Sequence, residues 1–236
     1  MDALPPSYES HFTLNTPVHE QLKDKRVILA SGSPRRKELF RQMGFSNVEV
    51  FVSGFAENLS KSAYVTPWEY AADTSSQKAL AVYQNLAAEE DSPDVVIAAD
   101  TVLILDSEII EKPADPKHHL SILKKLRDSR EPHKVFTAVT VIVPLDVPVH
   151  PGYVMKTHLE ETQVKFDPSL TDEFLEAYVR SGEGLDKAGG YGIQGFGALL
   201  VESIQGDYTN IVGLPLRATY RLLEEALDQG NAENYD

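Results

Sequence analysis

A hydroxyl-rich turn followed by three basic residues is the stretch of this sequence best suited to bind phosphate. Ser31-Gly32-Ser33 follows the apolar residues 27–30 and precedes Pro34, and Arg35-Arg36-Lys37 comes next. Ser33 is a favourable helix N-cap and proline suits the first helical position, so we predict that a strand leads through this turn into a helix. Because a helix N-terminus carries partial positive charge, three cations in its first turn are unfavourable unless an anion binds there. The turn therefore predicts a phosphate site, with a solvated basic surface as the alternative.

One carboxylate at the centre of an apolar run is the second feature that indicates chemistry. Asp100 lies within residues 94–106, which are otherwise mostly apolar and predict a strand. A buried unpaired carboxylate is costly, so Asp100 should contact a metal, a cation or strong hydrogen-bond donors, or else stay protonated. The alternative is an aspartate at a strand bend that bonds to its own backbone. A turn at 106–108 and a short strand at 109–113 then bring Lys112 close to Asp100.

A glycine-rich stretch is the third candidate. Residues 184–197 contain six of the fourteen glycines in the chain. Glycine allows the backbone to approach a ligand closely, while Lys187 offers a cation and Gln194 an amide that can contact the edge of a base. His118 and His119 are adjacent on a predicted helix and point in different directions, which argues against a metal shared between them.

Composition limits the kinds of ligand. The chain has 236 residues, of which 42% are hydrophobic, and a net charge of −14. Such a charge repels polyphosphate backbones, so we predict no nucleic-acid binding. A small phosphate compound can still bind where lysines and arginines, together with a divalent cation, reverse the local potential. The lack of cysteine excludes disulfides, thiol nucleophiles and cysteine-ligated metals.

The elements that must position these residues alternate between strands and helices, which predicts an α/β protein. Strands are predicted at 27–30, 48–52, 94–106, 109–113, 133–143, 153–166 and 199–204, and helices at 34–44, from Pro67, from Asp115, at 171–182 and from Leu214. Residues 133–143 are mostly apolar on both faces, so this strand should be central. Residues 207–210 are predicted to form a loop.

We predict one domain over residues 25–228, preceded by a flexible extension at 1–24 and followed by an acidic tail at 229–236. The extension contains three prolines and lacks a sustained apolar period. Pro5-Pro6-Ser7-Tyr8 within it resembles a WW-domain ligand, although so short a motif often arises by chance. No apolar run reaches the length of a membrane span and no signal-peptide pattern is present, so we predict a cytoplasmic protein without membrane contact. A homodimer is the assembly that we consider for the chain, although no sequence feature decides its oligomeric state.

Several short motifs in a fixed order, spread over about residues 27–227, resemble the Maf family of nucleoside triphosphate pyrophosphatases. They are Ser31-Gly32-Ser33-Pro34-Arg35-Arg36, Ala99-Asp100-Thr101-Val102, Lys112-Pro113-Ala114-Asp115, the strand that begins at His133, Asp186-Lys187-Ala188-Gly189, Tyr191-Gly192-Ile193-Gln194-Gly195, and Val212-Gly213-Leu214-Pro215-Leu216. The Asp-Lys-Ala-Gly and Ile-Gln-Gly pieces are similar to the branch that acts on dTTP and UTP rather than to the branch that acts on methylated guanine nucleotides.

The resemblance implies a long, curved mixed sheet flanked by helices, with a nucleotide cleft between two lobes, similar to the inosine-triphosphatase fold. It implies hydrolysis of dTTP or UTP to the monophosphate and pyrophosphate, with Mg²⁺ or Mn²⁺ as the cofactor. Carried over by position, it implies catalytic roles for Asp100, Glu57 and Lys112 and metal binding by Asp100 and Glu57. It also implies substrate binding by Ser31, Ser33, Arg35, Arg36, Lys78, Thr101, Lys187 and Gln194.

Three positions depart from the family pattern. The usual Asp-Glu pair is Ala56-Glu57, the usual Gly-Lys-Pro is Glu111-Lys112-Pro113, and the usual Gly-Glu-Pro is Gly182-Glu183-Gly184. The first change removes a carboxylate that could support metal binding, and the second adds negative charge beside Lys112. Two alternatives stay open, a non-catalytic nucleotide-binding regulator of cell division and a purine-type, inosine triphosphate-like pyrophosphatase. The retained Asp100 favours an enzyme, since a sensor needs the phosphate site but no competent carboxylate.

Overall fold

Strands and helices alternate along the chain, and the strands form one mixed seven-stranded sheet. The computed structural model describes residues 14–56, 59–147 and 149–235. The strands are β1 Val27–Leu29, β2 Val48–Val50, β3 Val95–Leu105, β4 Glu108–Ile110, β5 His133–Pro144, β6 Tyr153–Phe166 and β7 Val201–Gln205. The helices are α1 Pro17–Leu22, α2 Pro34–Gln42, α3 Pro67–Leu86, α4 Pro116–Asp128, α5 Asp172–Ser181, α6 Tyr208–Val212 and α7 Leu216–Tyr235. The predicted α/β class is confirmed.

The order of strands places β5 inside the sheet, as its apolar faces predict. The order is β2-β1-β3-β5-β6-β7, and β4 pairs with β3 outside this path. β1 runs parallel to β2 and β3, whereas β3, β5, β6 and β7 are antiparallel neighbours. Helices cover both faces, since one core contains residues of α2, α4, α5 and α7 and the opposite cores contain residues of α3.

The side of β3 that faces away from β5 is shared by two strands with a gap between them. β1 pairs with residues 95–97 at the start of β3, and β4 pairs with residues 103–105 at its end. Over the part of the chain that the structure describes, no strand pairs with residues 98–102 on this side. The sheet is therefore split beside the middle of β3, between the lobe that contains β1 and β2 and the lobe that contains β4.

Alternation along β3 sends neighbouring side chains to opposite faces of the sheet. Ala99 belongs to the larger core, which contacts α2 and α7, whereas Ala98 belongs to the core under α3. Asp100 is in phase with Ala98 and therefore faces α3. Thr101 is in phase with Ala99 and faces α2. The split in the sheet thus has a carboxylate on one face and a hydroxyl on the other.

The helix boundaries follow the predicted signals. Pro34, Pro67 and Pro116 lie in the first turn of α2, α3 and α4, where the missing proline N–H leaves no hydrogen bond unmade. Gly44 and Gly182 follow α2 and α5 with φ of 94° and 75°, a region of backbone space that favours glycine. These boundaries confirm the sequence prediction for both ends of α2.

The boundary predicted for the N-terminal extension is wrong for residues 16–22. α1 packs on the core, with Val18 fully buried and Leu22 6% exposed. The Thr16 hydroxyl lies 2.6 Å from the Tyr220 hydroxyl of α7. The six-residue helix α1 buries only two apolar residues, Val18 and Leu22, four positions apart. So short an apolar pattern does not predict a packed helix in a segment that also contains prolines. Pro5-Pro6-Ser7-Tyr8 lies outside the described residues.

The acidic tail predicted at 229–236 is helical as far as the structure describes it, because α7 continues to residue 235. The Asn231 side-chain amide donates to Gln21 Oε1 at 3.2 Å, and Asn234 Oδ1 accepts from the backbone N–H of Asp146 at 2.8 Å. These contacts with distant parts of the chain hold the last turns in place. No helix within the described ranges has both the length and the apolar character that crossing a bilayer requires.

Two shorter elements also differ from the prediction. Residues 208–210 belong to α6 rather than to a loop, because the carboxylate of Asp207, the N-cap residue, accepts from the backbone N–H of Thr209 at 2.7 Å. The last strand begins at Val201, two residues after its predicted start, because residues 196–200 form a 3₁₀ helix.

We expect Leu22→Ala to lower the free energy of unfolding by about 2 kcal/mol, the lower end of the range for truncating a buried leucine. Leu14→Ala makes the same change at a side chain that is 61% exposed, and should cost less than about 0.5 kcal/mol. Urea unfolding of both variants measures the difference. Equal stability of the two would show that α1 contributes nothing to the core.

Candidate functional site

A cavity of about 1010 Å³ opens at the split in the sheet. This volume lies at the upper end of the range for small-molecule sites. The cavity is lined by ten of the eleven predicted site residues, namely Ser31, Ser33, Arg35, Arg36, Lys78, Asp100, Thr101, Lys112, Lys187 and Gln194. The eleventh, Glu57, lies outside the described residues. Fold and sequence motifs therefore converge on one cleft.

The electrostatic character of the cleft is opposite to that of the chain. Its described lining carries six cationic and four anionic side chains, a net charge of +2, whereas the whole chain carries −14. The cations are Arg35, Arg36, Lys61, Lys78, Lys112 and Lys187, and the anions are Asp100, Glu111, Glu183 and Asp186. A local positive potential of this kind is what an anionic ligand requires in an acidic protein.

Asp100 and Lys78 form a buried ion pair on the α3 side of the cleft. Lys78 Nζ lies 2.8 Å from Asp100 Oδ1, and the two side chains are 10% and 12% exposed. The sequence required a cation, a metal or strong donors for Asp100, and the structure supplies a cation. Lys78 is predicted to bind substrate. Its ammonium lines the cleft but also contacts Asp100, so its charge is shared between the two.

Hydrogen bonds hold the guanidinium of Arg36 on the opposite side of the cleft. Its Nε donates to the backbone oxygen of Gly213 at 2.8 Å, and its two terminal nitrogens donate to Ser31 Oγ at 3.1 Å and Thr101 Oγ1 at 3.0 Å. These three acceptors come from the turn after β1, from β3 and from the residue that follows α6. All three are neutral oxygens, so these contacts orient the guanidinium without cancelling its charge.

The start of α2 has the features of an anion site. Ser33 occupies the N-cap position, but its hydroxyl makes no capping hydrogen bond. Its backbone N–H instead donates to Ser31 Oγ at 3.3 Å. No acidic residue lies in the first turn of α2, where the helix dipole would favour one. Arg35 extends from this turn towards Asp186, with 3.7 Å between the charged atoms.

The acidic departure Glu111 is compensated by a lysine from another segment. Glu111 forms an ion pair with Lys61, and both residues line the cleft beside Lys112. Lys61 also lies over the ring of Tyr70, with its Nζ 5.3 Å from the ring centroid. Lys112 itself is exposed and lies two residues after β4. The predicted strand at 109–113 is shorter in the structure, since β4 ends at Ile110, and Lys112 lines the same cleft as Asp100.

The glycine-rich stretch folds around the carboxylate of Glu183. Glu183 accepts hydrogen bonds from the backbone N–H groups of Phe196 at 2.8 Å and Gly197 at 2.9 Å, and from the Tyr178 hydroxyl at 3.0 Å. Burial favours the neutral acid, but these donors outweigh it and hold the pKa of Glu183 below its usual value. A Cβ on Gly195 would lie 2.2 Å from Glu183 Oε2. The glycine at 195 therefore serves close approach to an internal carboxylate, which corrects the expectation that these glycines serve a ligand alone.

Lys187 and Gln194 lie on this folded stretch and differ in how firmly they are held. Lys187 donates to the backbone oxygen of Glu183 and pairs with Asp186 at 2.5 Å. Gln194 is exposed and lines the cleft. Lys187 is therefore positioned by its neighbours, whereas Gln194 presents its amide at the rim.

A buried histidine supports the floor of the cleft. His133 Nε2 lies 2.8 Å from the hydroxyl of Tyr191, a cleft-lining residue. Burial, with a smaller effect from Lys165, lowers the pKa of His133 to about 3, so the ring is neutral at physiological pH. Burial likewise raises the pKa of Tyr191. Both rings therefore act as uncharged packing and hydrogen-bonding groups.

The donor set fits a divalent cation only together with a phosphate ligand. Among the described residues, no three histidine, cysteine, aspartate or glutamate side chains are placed to share a metal ion. Mg²⁺ commonly uses one or two carboxylates plus substrate phosphates and water. Asp100 is suited to such a role, and the predicted second ligand Glu57 lies outside the described part of the chain. His118 and His119 are separated as predicted, since His118 contacts the backbone N–H of Ala114 and His119 contacts Gly190 O.

Three residues of the site were missed as functional candidates. The sequence motifs include Glu183 without giving it a role, and they include neither Tyr178 nor Lys61. Each acts through a partner that is distant in sequence or separated from it by a loop, so no local pattern marks it. The one available signal was Glu183 between Gly182 and Gly184, because a lone carboxylate inside a glycine-rich loop often accepts backbone N–H groups.

The split sheet and its positively charged cleft define an α/β protein with a site for a small polyanionic ligand. A family model described as "Maf-like protein" matches residues 26–226. The chain belongs to the Maf family, which confirms the resemblance seen in its motifs.

Several individual proteins are also similar to this chain over most of their length. A dTTP/UTP pyrophosphatase of Schizosaccharomyces pombe is 77% identical over 236 residues, covering 100% of this chain and 98% of that protein. A dTTP/UTP pyrophosphatase of Deinococcus radiodurans is 46% identical over 202 residues, covering 85% and 93%. One of Saccharomyces cerevisiae is 41% identical over 206 residues, covering 83% and 88%.

We expect Asp100→Asn to lower the stability of the protein, because the change leaves the buried ammonium of Lys78 without this carboxylate. Removing one partner of a buried ion pair costs about 3–5 kcal/mol. Lys78→Met should have a similar cost, and the double variant should recover much of the loss. Urea unfolding of the three variants measures these free energies.

An exposed ion pair provides the control for this experiment. Glu108→Gln breaks the pair of Lys125 and Glu108, whose side chains are 43% and 71% exposed, and should change stability by less than about 0.5 kcal/mol. Additive losses in the double variant of Asp100 and Lys78 would contradict the pairing.

Proposed function

We propose that this chain is a nucleoside triphosphate pyrophosphatase that hydrolyses dTTP and UTP to the monophosphate and pyrophosphate. The observation that carries the proposal is a net positive cleft, built on a helix start and an oriented arginine, with a buried carboxylate at its centre. The relatives described above are dTTP/UTP pyrophosphatases, which supports the same two nucleotides. Departure of pyrophosphate requires charge neutralisation along three phosphates, which explains why so many cations line one cleft.

The phosphate chain is proposed to lie between Arg36 and the start of α2. The backbone N–H groups at this helix start and the guanidinium of Arg36 are suited to bind phosphate oxygens. Ser31 accepts from both Arg36 and the backbone of Ser33, so its own hydroxyl proton is available to a ligand. Lys112 and Arg35 add positive charge on either side. Together these groups would stabilise the charge that moves onto the leaving pyrophosphate.

The water that attacks the α-phosphorus is proposed to be readied near Asp100. As the oxygen–phosphorus bond forms, the bond to the bridging oxygen breaks and the water loses a proton. Of the four described carboxylates that line the cleft, Asp100 is the proposed acceptor of this proton. Lys78 fixes the position of this carboxylate. A divalent cation, Mg²⁺ or Mn²⁺, held by Asp100 and Glu57, would supply further charge neutralisation and would acidify a bound water. The loss of a carboxylate at Ala56 leaves Glu57 and Asp100 as the proposed ligands.

The base is proposed to contact the glycine-rich rim. Gln194 is exposed there and Lys187 is oriented by Asp186. An amide can donate and accept at the edge of a pyrimidine. A nucleotide-binding regulator of cell division and an inosine triphosphate-type enzyme are the alternatives, and turnover across several nucleotides distinguishes them. The cytoplasmic location and a homodimer stay predictions.

We expect the protein with Mg²⁺ to release pyrophosphate from dTTP and UTP. A malachite-green assay should therefore detect orthophosphate only when inorganic pyrophosphatase is added, and chromatography should show the monophosphate. Asp100→Asn should lower turnover by at least about a hundredfold, the lower end for a positioned acid–base group. Asp106→Asn makes the same change in the turn after β3 and should retain full activity.

Three results would count against this proposal. Direct orthophosphate release with a diphosphate product would place the cleavage at a different bond. Near-complete activity of a folded Asp100→Asn protein would remove the role assigned to Asp100. Binding of nucleotides without any turnover would favour the regulator.

We expect Gln194→Ala to change the ranking of nucleotides more than it changes turnover of the best one. Loss of one polar contact to a base should reduce kcat/KM for dTTP by about threefold to tenfold. A panel of dTTP, UTP, CTP, GTP and inosine triphosphate provides the comparison. Equal losses on every nucleotide would assign Gln194 a structural role instead.

A further inference from the structure

Thr101 was predicted to bind substrate, but its hydroxyl is engaged on both sides by protein groups. Thr101 Oγ1 accepts from a terminal nitrogen of Arg36 at 3.0 Å and lies 2.9 Å from Thr137 Oγ1. Thr137 Oγ1 in turn lies 3.1 Å from the backbone oxygen of Asn210. A carbonyl oxygen only accepts, so Thr137 must give its single proton to Asn210. Thr101 is therefore the donor to Thr137.

These contacts form a chain of hydrogen bonds from the cleft to α6, which we call the relay. Arg36 donates a hydrogen bond to Thr101, Thr101 donates one to Thr137, and Thr137 donates one to the backbone oxygen of Asn210. Both Thr137 and Asn210 are fully buried. In this low-dielectric interior each hydrogen bond restricts its members more strongly than it would at the surface.

The far end of the relay is itself fixed. The Asn210 side-chain amide donates to Val135 O at 3.0 Å and to Thr162 Oγ1 at 2.9 Å. Thr162 Oγ1 donates to the backbone oxygen of Asp207 at 2.9 Å. Asn210, which belongs to α6, is thus held by contacts with β5 and β6. The relay connects this fixed residue to Arg36 in the cleft.

The same short helix holds Arg36 by a second route. Arg36 Nε donates to Gly213 O, immediately after α6, at 2.8 Å. Gly213 has a φ of 121°, which an L-residue rarely adopts. Two of the three hydrogen bonds described for Arg36 therefore connect it to α6 or to the residue that follows α6. One is the direct bond to Gly213, and the other runs through Thr101 and Thr137.

The geometry points to Thr137, anchored by Asn210, as a positioning residue for the phosphate-binding guanidinium of Arg36, with Thr101 as the connecting hydroxyl. This inference rests on the proposed function, since it takes Arg36 to bind phosphate. Thr137 is fully buried and is not part of the cleft lining, so it acts only through Arg36. Neither its position in β5 nor its buried hydroxyl has another role in the proposed reaction.

The test compares three substitutions on one strand. Thr137→Val removes the hydroxyl with little change in shape, Thr137→Ser keeps it, and Thr140→Val removes a different buried hydroxyl of β5. Thr140 faces α3, where it contacts Ser75 at 3.0 Å and Thr157 at 2.9 Å. Thr140→Val therefore reproduces the loss of a buried hydrogen bond without touching the relay.

Two readouts are measured for each variant, the KM and kcat for dTTP and the dissociation constant for inorganic pyrophosphate by calorimetry. Thr137→Val should raise the dissociation constant and KM by about threefold to tenfold, the effect of one net hydrogen bond. Thr137→Ser should restore both values, and Thr140→Val should leave both unchanged. In an Arg36→Met background, Thr137→Val should have no further effect, because the two residues act as one unit.

Several outcomes would overturn the inference. Equal effects of Thr137→Val and Thr140→Val, or an undiminished effect of Thr137→Val beside Arg36→Met, would make Thr137 merely structural. If Thr137→Val does not fold, Thr101→Val cuts the next link and must show the same dependence on Arg36. Pyrophosphate binding that depends on Thr137 in a protein without dTTP turnover would refute the proposed function and leave the relay standing. A wild-type protein that binds no pyrophosphate would overturn the relay as well.

Discussion

Within the described part of the chain, the middle of β3 pairs with a strand on one side only, and the site depends on this constraint. β1 and β4 pair with the two ends of the same edge, so the residues between them face a gap. Buried polar side chains at such a position require hydrogen-bond or ionic partners. Asp100 finds Lys78 of α3 and Thr101 finds Arg36 of α2. Because neighbouring strand residues point to opposite faces, two helices from opposite sides of the sheet converge on one cleft.

Charge in the cleft is arranged as pairs with an excess of cations. Asp100, Glu111 and Asp186 each have a cationic partner, while Glu183 is held by backbone N–H groups. Arg36 donates hydrogen bonds to three neutral oxygens. The excess of cations in the described lining contrasts with the net charge of −14 of the whole chain. The ion pairs fix the positions of their side chains, and the excess of cations attracts an anionic ligand.

Local signals in the sequence predicted most of the fold and the place of the site. Prolines at helix starts, glycines after helix ends and apolar alternation mark α2, α5 and β5, and the motif residues do meet in one cleft. The failures have a common cause. α1 is secured by Tyr220 and the end of α7 by Gln21 and Asp146, and these contacts join parts of the chain that are remote in sequence. Glu183 likewise organises its loop through backbone N–H groups thirteen and fourteen residues away. No periodicity records such contacts.

The two halves of the cleft are built by different means. The side of Arg36 is built from α2, β3 and the residues that follow β1 and α6, which together supply the three described acceptors for Arg36. The glycine-rich side is a loop that folds on its own carboxylate, Glu183, and its backbone could not close around this group if residue 195 carried a Cβ. The two sides meet at a few contacts, among them Arg35 with Asp186 at 3.7 Å and Gly189 N–H with Glu111 O at 3.3 Å. In the proposed function, the base lies against the glycine-rich rim that contains Gln194 and the phosphates lie beside Arg36. Because Glu183 organises the glycine-rich side through its own loop, that proposal separates recognition of the base from the chemistry at the phosphates.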